Sequence, residues 1–142
     1  MENFYRKYIM RLKVTAIVEK TSDGMYSCSV TENLGNYGIA GYGETAEEAK
    51  NDMLECYREM KEMNDEENVE TPELEIMYSY DMQAFFNKFS FLKMSVIAEM
   101  SGINQSLLRQ YATGHAVAGE NQYKKLKKTI NEIKEELSLV AF

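Results

Sequence analysis

Ser95-Val-Ile-Ala-Glu-Met-Ser-Gly-Ile-Asn-Gln-Ser-Leu-Leu-Arg-Gln-Tyr111 is the stretch on which the reading of this chain turns. It predicts two short helices joined by a tight turn at Gly102, where backbone freedom is needed. Ala98 falls where the two helices cross and a small side chain is required. Ile97, Ile103, Leu108 and Tyr111 are spaced to bury a shared core. The other positions of the second helix, Asn104, Gln105, Ser106, Arg109 and Gln110, are almost all hydrogen-bonding. Side chains of that kind on one helix face suit the edges of base pairs. The pattern is that of a helix-turn-helix, and it predicts contact with DNA. Gln105, Ser106 and Arg109 follow the helix N-terminus and are the first candidates for base edges. Asn104 and Gln110 are candidates for either base or phosphate. Ser95 reads as the N-cap of the first helix, whose amide end suits a phosphate. A plain structural pair of helices is the alternative reading.

The flanks support a small helical domain. Asp81 is an N-cap for a helix Met82–Leu92, with Phe85, Phe86, Phe89 and Leu92 on its apolar side. Asn104 caps the second helix of the motif, and Thr113-Gly114 ends it in a left-handed stop. His115 is the only histidine and falls in the following loop. From about Glu120, Tyr123, Leu126, Ile130, Ile133, Leu137 and Val140 recur at steps of three and four. That face either packs on its own domain or also pairs two chains. One recognition helix reads few base pairs, so a homodimer or higher homo-oligomer is expected. The final helix is one candidate seam and the N-terminal sheet edge is its competitor. Lys124, Lys125, Lys127 and Lys128 either touch phosphate or form a solvated face.

The chain has 142 residues, 44% of them hydrophobic, and a net charge of −7. That charge is uneven. Residues 1–82 hold 8 Lys/Arg against 18 Asp/Glu, a balance of −10, and residues 83–142 hold 8 against 5, a balance of +3. Two modules with different partners are implied. The basic half suits phosphates and the acidic half suits a basic protein. No apolar run approaches the roughly 20 residues that cross a bilayer, and no secretory signal is expected, so neither is a membrane partner. Cys28 and Cys56 lack metal or redox spacing and read as thiols in a reducing cytoplasm.

In the acidic half, Leu12, Val14, Ala16 and Val18 alternate on one strand face. Ser22-Asp-Gly24 signals a hairpin. Tyr26, Cys28 and Val30 alternate again. Gly35-Asn-Tyr-Gly-Ile-Ala-Gly-Tyr-Gly43 reads as a loop and a third strand, not as a phosphate loop, because no Gly-Lys-Ser/Thr follows. Thr45-Ala-Glu-Glu48 is a capping box. It opens an amphipathic helix carrying Ala46, Ala49, Met53, Cys56 and Met60 and ending near Met63. The acidic stretch Asn64 to Glu73, with the only proline, Pro72, reads as a loop. Leu74, Ile76 and Tyr78 then suggest a fourth strand.

This order, with Gly41-Tyr-Gly-Glu-Thr-Ala-Glu-Glu-Ala49, resembles the HicB family of antitoxins. Many members carry a proline-containing turn where this chain has Asn33-Leu-Gly-Asn36. The resemblance implies an α+β chain. Residues 10–80 would form a β-β-β-α-β, degenerate ribonuclease-H-like domain that binds a toxin. Residues 81–142 would form an all-α helix-turn-helix domain. Residues 1–9 precede the family-like start, which makes Met10 a candidate initiator.

The implied function is that of an antitoxin in a type II toxin–antitoxin system. It would mask a small basic HicA-like ribonuclease toxin and repress its own operon by binding operator DNA. Glu47, Asp52, Glu55, Glu59 and Glu62, on or near the polar side of the first helix, are the candidate toxin-binding residues; Glu66, Glu67 and Glu70 extend the patch. A solvated acidic face is the bland alternative. No cofactor, metal ion or catalytic residue is expected. The strand acids Glu19, Glu32 and Glu75 sit at ends or exposed phases, and His115 stands alone. The competing function is an orphan helix-turn-helix regulator whose N-terminal domain oligomerises or senses a signal.

Overall fold

A computed structural model describes residues 11–32, 34 and 38–142. The stretch around Asn33-Leu-Gly-Asn36 is largely, and residues 1–10 with the candidate initiator Met10 are entirely, outside the described residues. The elements are β1 (Arg11–Lys20), β2 (Tyr26–Val30), β3 (Ala40–Gly43), α1 (Ala46–Glu66), β4 (Glu73–Tyr80), α2 (Met82–Lys88), α3 (Met94–Ser101), α4 (Gln105–Thr113) and α5 (Glu120–Ser138). The chain is α+β, and its strands form one mixed sheet in the order β3-β2-β1-β4. It divides into two compact units, one ending at Ala84 and the other beginning at Phe85.

In the first unit, strand alternation puts Val14, Ala16, Val18, Tyr26 and Cys28 on the buried side of the sheet. β1 and β2 pair antiparallel, Val18 opposite Cys28. The loop between them is closed by Thr21 N–H on the Met25 carbonyl at 2.8 Å. β4 runs parallel to β1, Val14 opposite Ile76, so the chain must cross the sheet between β3 and β4. α1 makes that crossing and lays Ala46, Ala49, Met53 and Met60 on the sheet.

The capping box forms in altered shape. Thr45 accepts the Glu48 N–H at 3.1 Å, and the Glu48 carboxylate reaches back to the N–H of Glu44, at 2.8 Å, rather than to that of Thr45. Gly41 and Gly43 explain how closely α1 approaches β3. A Cβ on Gly41 would lie 2.2 Å from the Met53 backbone nitrogen, and one on Gly43 would lie 2.8 Å from that of Ala49. Only glycine lets the two backbones meet there.

Three expected boundaries move. α1 continues past Met63 to Glu66, because Asn64 is buried and its amide donates to Thr71 Oγ1 at 2.9 Å. A buried amide with a partner costs little, so nothing forces the helix to stop there. Asn68 ends it instead, in the left-handed region at φ 57°, which asparagine tolerates. α2 stops at Lys88 rather than Leu92, because Leu92 N–H bonds the Phe89 carbonyl three residues back, a turn and not a helical step. Asp81 does cap α2, accepting Ala84 N–H at 2.7 Å, and its other oxygen accepts Lys20 N–H at 3.1 Å. The third change concerns α3 and Ser95, described below.

In the second unit, α3 packs against both α4 and α5. The apolar stripe of α5 is buried only in part. Leu126 is buried, together with the polar Thr129; Ile130 and Ile133 are half-buried; Leu137 is 64% exposed. Val140 lies beyond the helix end.

Candidate nucleic-acid interface and acidic face

The motif forms as two helices around a left-handed residue. Gly102 takes φ 74°, and its N–H closes on the Ala98 carbonyl at 3.0 Å. A side chain would be strained at that φ. Ser101 braces the turn, donating to the Ala98 carbonyl and accepting the Ile103 N–H, both at 3.3 Å. Sequence reading missed that role, because serine near a helix end is too common to stand out. Ile97, Ala98, Ile103, Leu108 and Tyr111 are all buried, so the expected shared core is present.

Ser95 is not the cap of α3. The helix starts at Met94, the N-cap is Lys93 in an extended conformation, and no side chain caps it. The Leu92 turn fixes where the chain enters the helix, and it places Ser95, exposed, inside the first turn. The amide end of α3 therefore begins two residues earlier than expected.

Asn104 does cap α4, its Oδ1 accepting the Leu107 N–H at 3.2 Å. That bond ties the Asn104 carboxamide oxygen to the backbone, leaving its NH2 group as the side-chain donor. Gln105, Ser106, Arg109 and Gln110 are all exposed, opposite buried Leu108 and Tyr111. Gly114 stops the helix at φ 83°. The Thr113 hydroxyl lies 2.8 Å from the Arg109 carbonyl and 2.7 Å from His115 Nδ1. His115 is thereby tied to the helix end. On α5, Lys124, Lys127 and Lys128 line a shallow open depression together with Asn131, Glu132 and Glu135. Lys124 is paired with Glu120 at 3.4 Å.

The five acids chosen on α1 do not form one free face. Glu55 and Glu62 both clasp Arg58, which bonds Glu62 at 2.5 Å and Glu55 through two nitrogens. The Arg58 guanidinium holds the Glu55 carboxyl below its ordinary range. Asp52 accepts the Tyr42 N–H at 2.9 Å and so seals the edge of β3. Glu47 is half-buried, and its charge adds to the burial that lifts Tyr78 and Tyr80. Glu59 is exposed. Next to Glu47 on α1, the Lys50 ammonium stands over the Tyr78 ring, 4.5 Å from its centroid. Lys50 drew no notice in the sequence, because its meeting with β4 depends on the parallel register.

The strand acids are spread out. Glu32 uses both carboxylate oxygens, each at 2.9 Å, to accept the Thr15 N–H, which lowers its pKa. Glu75 is opposite Lys13, six residues along β1 from Glu19, a separation of roughly 20 Å at strand rise. Those two cannot share one ion. Among the described residues, no His, Cys, Asp or Glu group could hold a metal, and no helix is long and apolar enough to cross a membrane.

No protein-family model, characterised protein or solved structure matches this chain.

Proposed function

We propose that the chain is an antitoxin-type autorepressor of HicB-like organisation. Its first unit, in the β-β-β-α-β order, is a degenerate ribonuclease-H-like domain that masks a small basic ribonuclease toxin. Its second unit binds operator DNA through α4. The observation that carries the reading is α4 itself. Four polar side chains, Gln105, Ser106, Arg109 and Gln110, stand exposed on a helix whose opposite side is buried and whose start is fixed by a glycine turn. Any solvated helix face is polar; what favours DNA is that this face follows the turn of a helix-turn-helix and carries side chains that match base edges.

The acidic balance of −10 over residues 1–82 supports a basic partner for the first unit. Acids around Arg58 on α1 would steer such a partner and compete with the RNA backbone for its cations. No step of this function needs catalysis by the chain. The test is capture of the intact protein from its native cells. The expected result is a short basic protein encoded beside it, together with a discrete DNA site upstream of the pair. Capture of the DNA site with no basic protein would leave a regulator without a toxin. Capture of neither would end the proposal.

A further inference from the structure

The two edges of the sheet are not alike. β3 is four residues long, and its Tyr42 N–H is taken by the Asp52 carboxylate at 2.9 Å. Short length and a carboxylate on the backbone both block further strand pairing. β4, on the other edge, runs for eight residues as Glu-Leu-Glu-Ile-Met-Tyr-Ser-Tyr, with no proline, lysine or glycine inside it. α1 packs mainly on β3 and β2 and less on β1. The helix side of β4 is accordingly covered only in part, and Leu74, Ile76, Tyr78 and Tyr80 are all half-buried.

We propose that a second copy of this chain adds to β4, antiparallel, about a two-fold axis through Met77, joining two four-stranded sheets into one. The strand is complementary to itself in this register. On the helix side, Ile76 meets the partner's Tyr78 and Leu74 meets the partner's Tyr80. A β-branched residue opposite an aromatic one, as in the Ile76–Tyr78 pair, is among the favourable cross-strand matches. On the open side, Met77 meets the partner's Met77, and Glu75 meets the partner's Ser79 instead of another acid. At the ends Glu73 faces the partner's Asp81, but both carboxylates are already engaged within their own chain. Glu73 pairs with Arg11 at 3.0 Å, and Asp81 holds the Ala84 and Lys20 N–H groups. A slip by one residue would set helix-side residues against open-side ones, so the facing sides are fixed, and Met77 meets its own copy only in the register proposed. A two-fold assembly also supplies the second recognition helix that DNA reading requires. That last support rests on the function proposed above; the strand argument stands without it.

The test uses the full chain. Met77 is 67% exposed, so it can be replaced without touching the core. Met77→Cys should give a covalent dimer with a short thiol-reactive cross-linker, since the axis sets the two side chains directly opposite. The wild type serves as control for Cys28 and Cys56. Met77→Lys should raise the dimer dissociation constant about fivefold or more, read by light scattering, through like charges placed opposite each other. Its circular dichroism should be unchanged. Three results overturn the proposal. One is a wild-type monomer at high micromolar concentration. Another is cross-linking through Leu137→Cys on α5 but not through Met77→Cys. The third is a Met77→Lys dimer of undiminished stability that has lost a co-purifying basic protein, which would give the edge to that partner. The second and third outcomes leave DNA binding by α4 untouched, and after the first a direct DNA-binding measurement on the monomer decides it separately.

Discussion

Replacing Gly41 by alanine should unfold or strongly destabilise the first unit, and the structure sets the size of the effect. The added Cβ would lie 2.2 Å from the Met53 nitrogen, 2.4 Å from the Ala49 carbonyl oxygen and 2.8 Å from the Asp52 carbonyl carbon. Ordinary contact begins at 3.4 Å, so α1 must retreat from β3 by about 1 Å. All three obstructing atoms are backbone, and no side chain can rotate away. Ala49 and Met53 are fully buried under the same stretch of α1, so a retreat of that size opens gaps beside both. A gap of about 1 Å forfeits a quarter to a half of each lost contact. Overpacking typically costs about 1–3 kcal/mol, and a clash with rigid backbone belongs at or above the top of that range. For a unit of this size about 3 kcal/mol lowers the melting temperature by roughly 10–25 °C. Thermal denaturation followed by circular dichroism reads the change. Gly38→Ala is the control, because a Cβ there meets nothing within 4 Å and its backbone is unstrained. If Gly41→Ala melts with the wild type, the close approach of α1 to β3 is wrong, and so is the placing of the α1 acids.

Other substitutions test the second unit and the buried thiol. Arg109→Ala should cost roughly 1–3 kcal/mol on the specific DNA site, measured by fluorescence anisotropy; equal weakening on random DNA would reduce its role to electrostatics. Asn104→Ala should cost about 1 kcal/mol of stability through loss of the α4 cap, whereas Ser95→Ala should change it by less than about 0.5 kcal/mol. The reverse order in thermal melts would restore Ser95 as the cap. Cys28 is fully buried, and burial pushes its thiol from 9.0 up to about 11, the nearby Lys50 ammonium being outweighed. Between those values the unfolded chain has released the proton and the folded chain keeps it. Stability is therefore intact below pH 9 and falls as pH rises towards 11, by up to about 1.4 kcal/mol per pH unit. Tyr80, pushed by burial from 10.0 up to about 12, adds to the loss from pH 10 upward, so the Cys28 contribution stands alone only between pH 9 and 10. Cys28→Ala should flatten the slope between pH 9 and 10; an unchanged slope would remove Cys28 from the account.

The elements that were legible in the sequence are those whose signal is local. Val14, Ala16 and Val18 alternate because a strand does, and all three are buried. Thr45 and Asn104 are caps because each hydroxyl or amide oxygen needs only the N–H three residues ahead. What misled was composition standing in for geometry. Asn64 opens an acidic run that looks like loop, yet one hydrogen bond to Thr71 keeps it in the helix. Asn68 ends α1 by backbone conformation, where a glycine would have been an obvious mark. Ser95 is the better capping residue by type, but Lys93 holds the position, because the preceding turn decides where the helix begins. The parallel pairing of β4 with β1 joins residues more than sixty positions apart, beyond the reach of any local pattern.

The candidate site follows the same division. The α4 face was legible because helical spacing alone separates Leu108 and Tyr111 from the polar positions between and around them. The α1 acids were not, because helical spacing says which side a carboxylate is on and nothing about what it holds. Asp52 closes a strand edge, Glu55 and Glu62 share Arg58, and Glu47 is drawn in beside Tyr78 and Tyr80. Four of the five acids thus already do work inside the fold, and a basic partner would meet less negative charge on α1 than their count implies. The same contacts make that charge better placed. Carboxylates held by Arg58 and by backbone N–H groups lose less rotational freedom on binding than free ones would. If α1 masks a basic partner as proposed, such a surface would gain its affinity from fixed geometry, so a change that lifts α1 from β3 would weaken the partner's grip without altering a single acid.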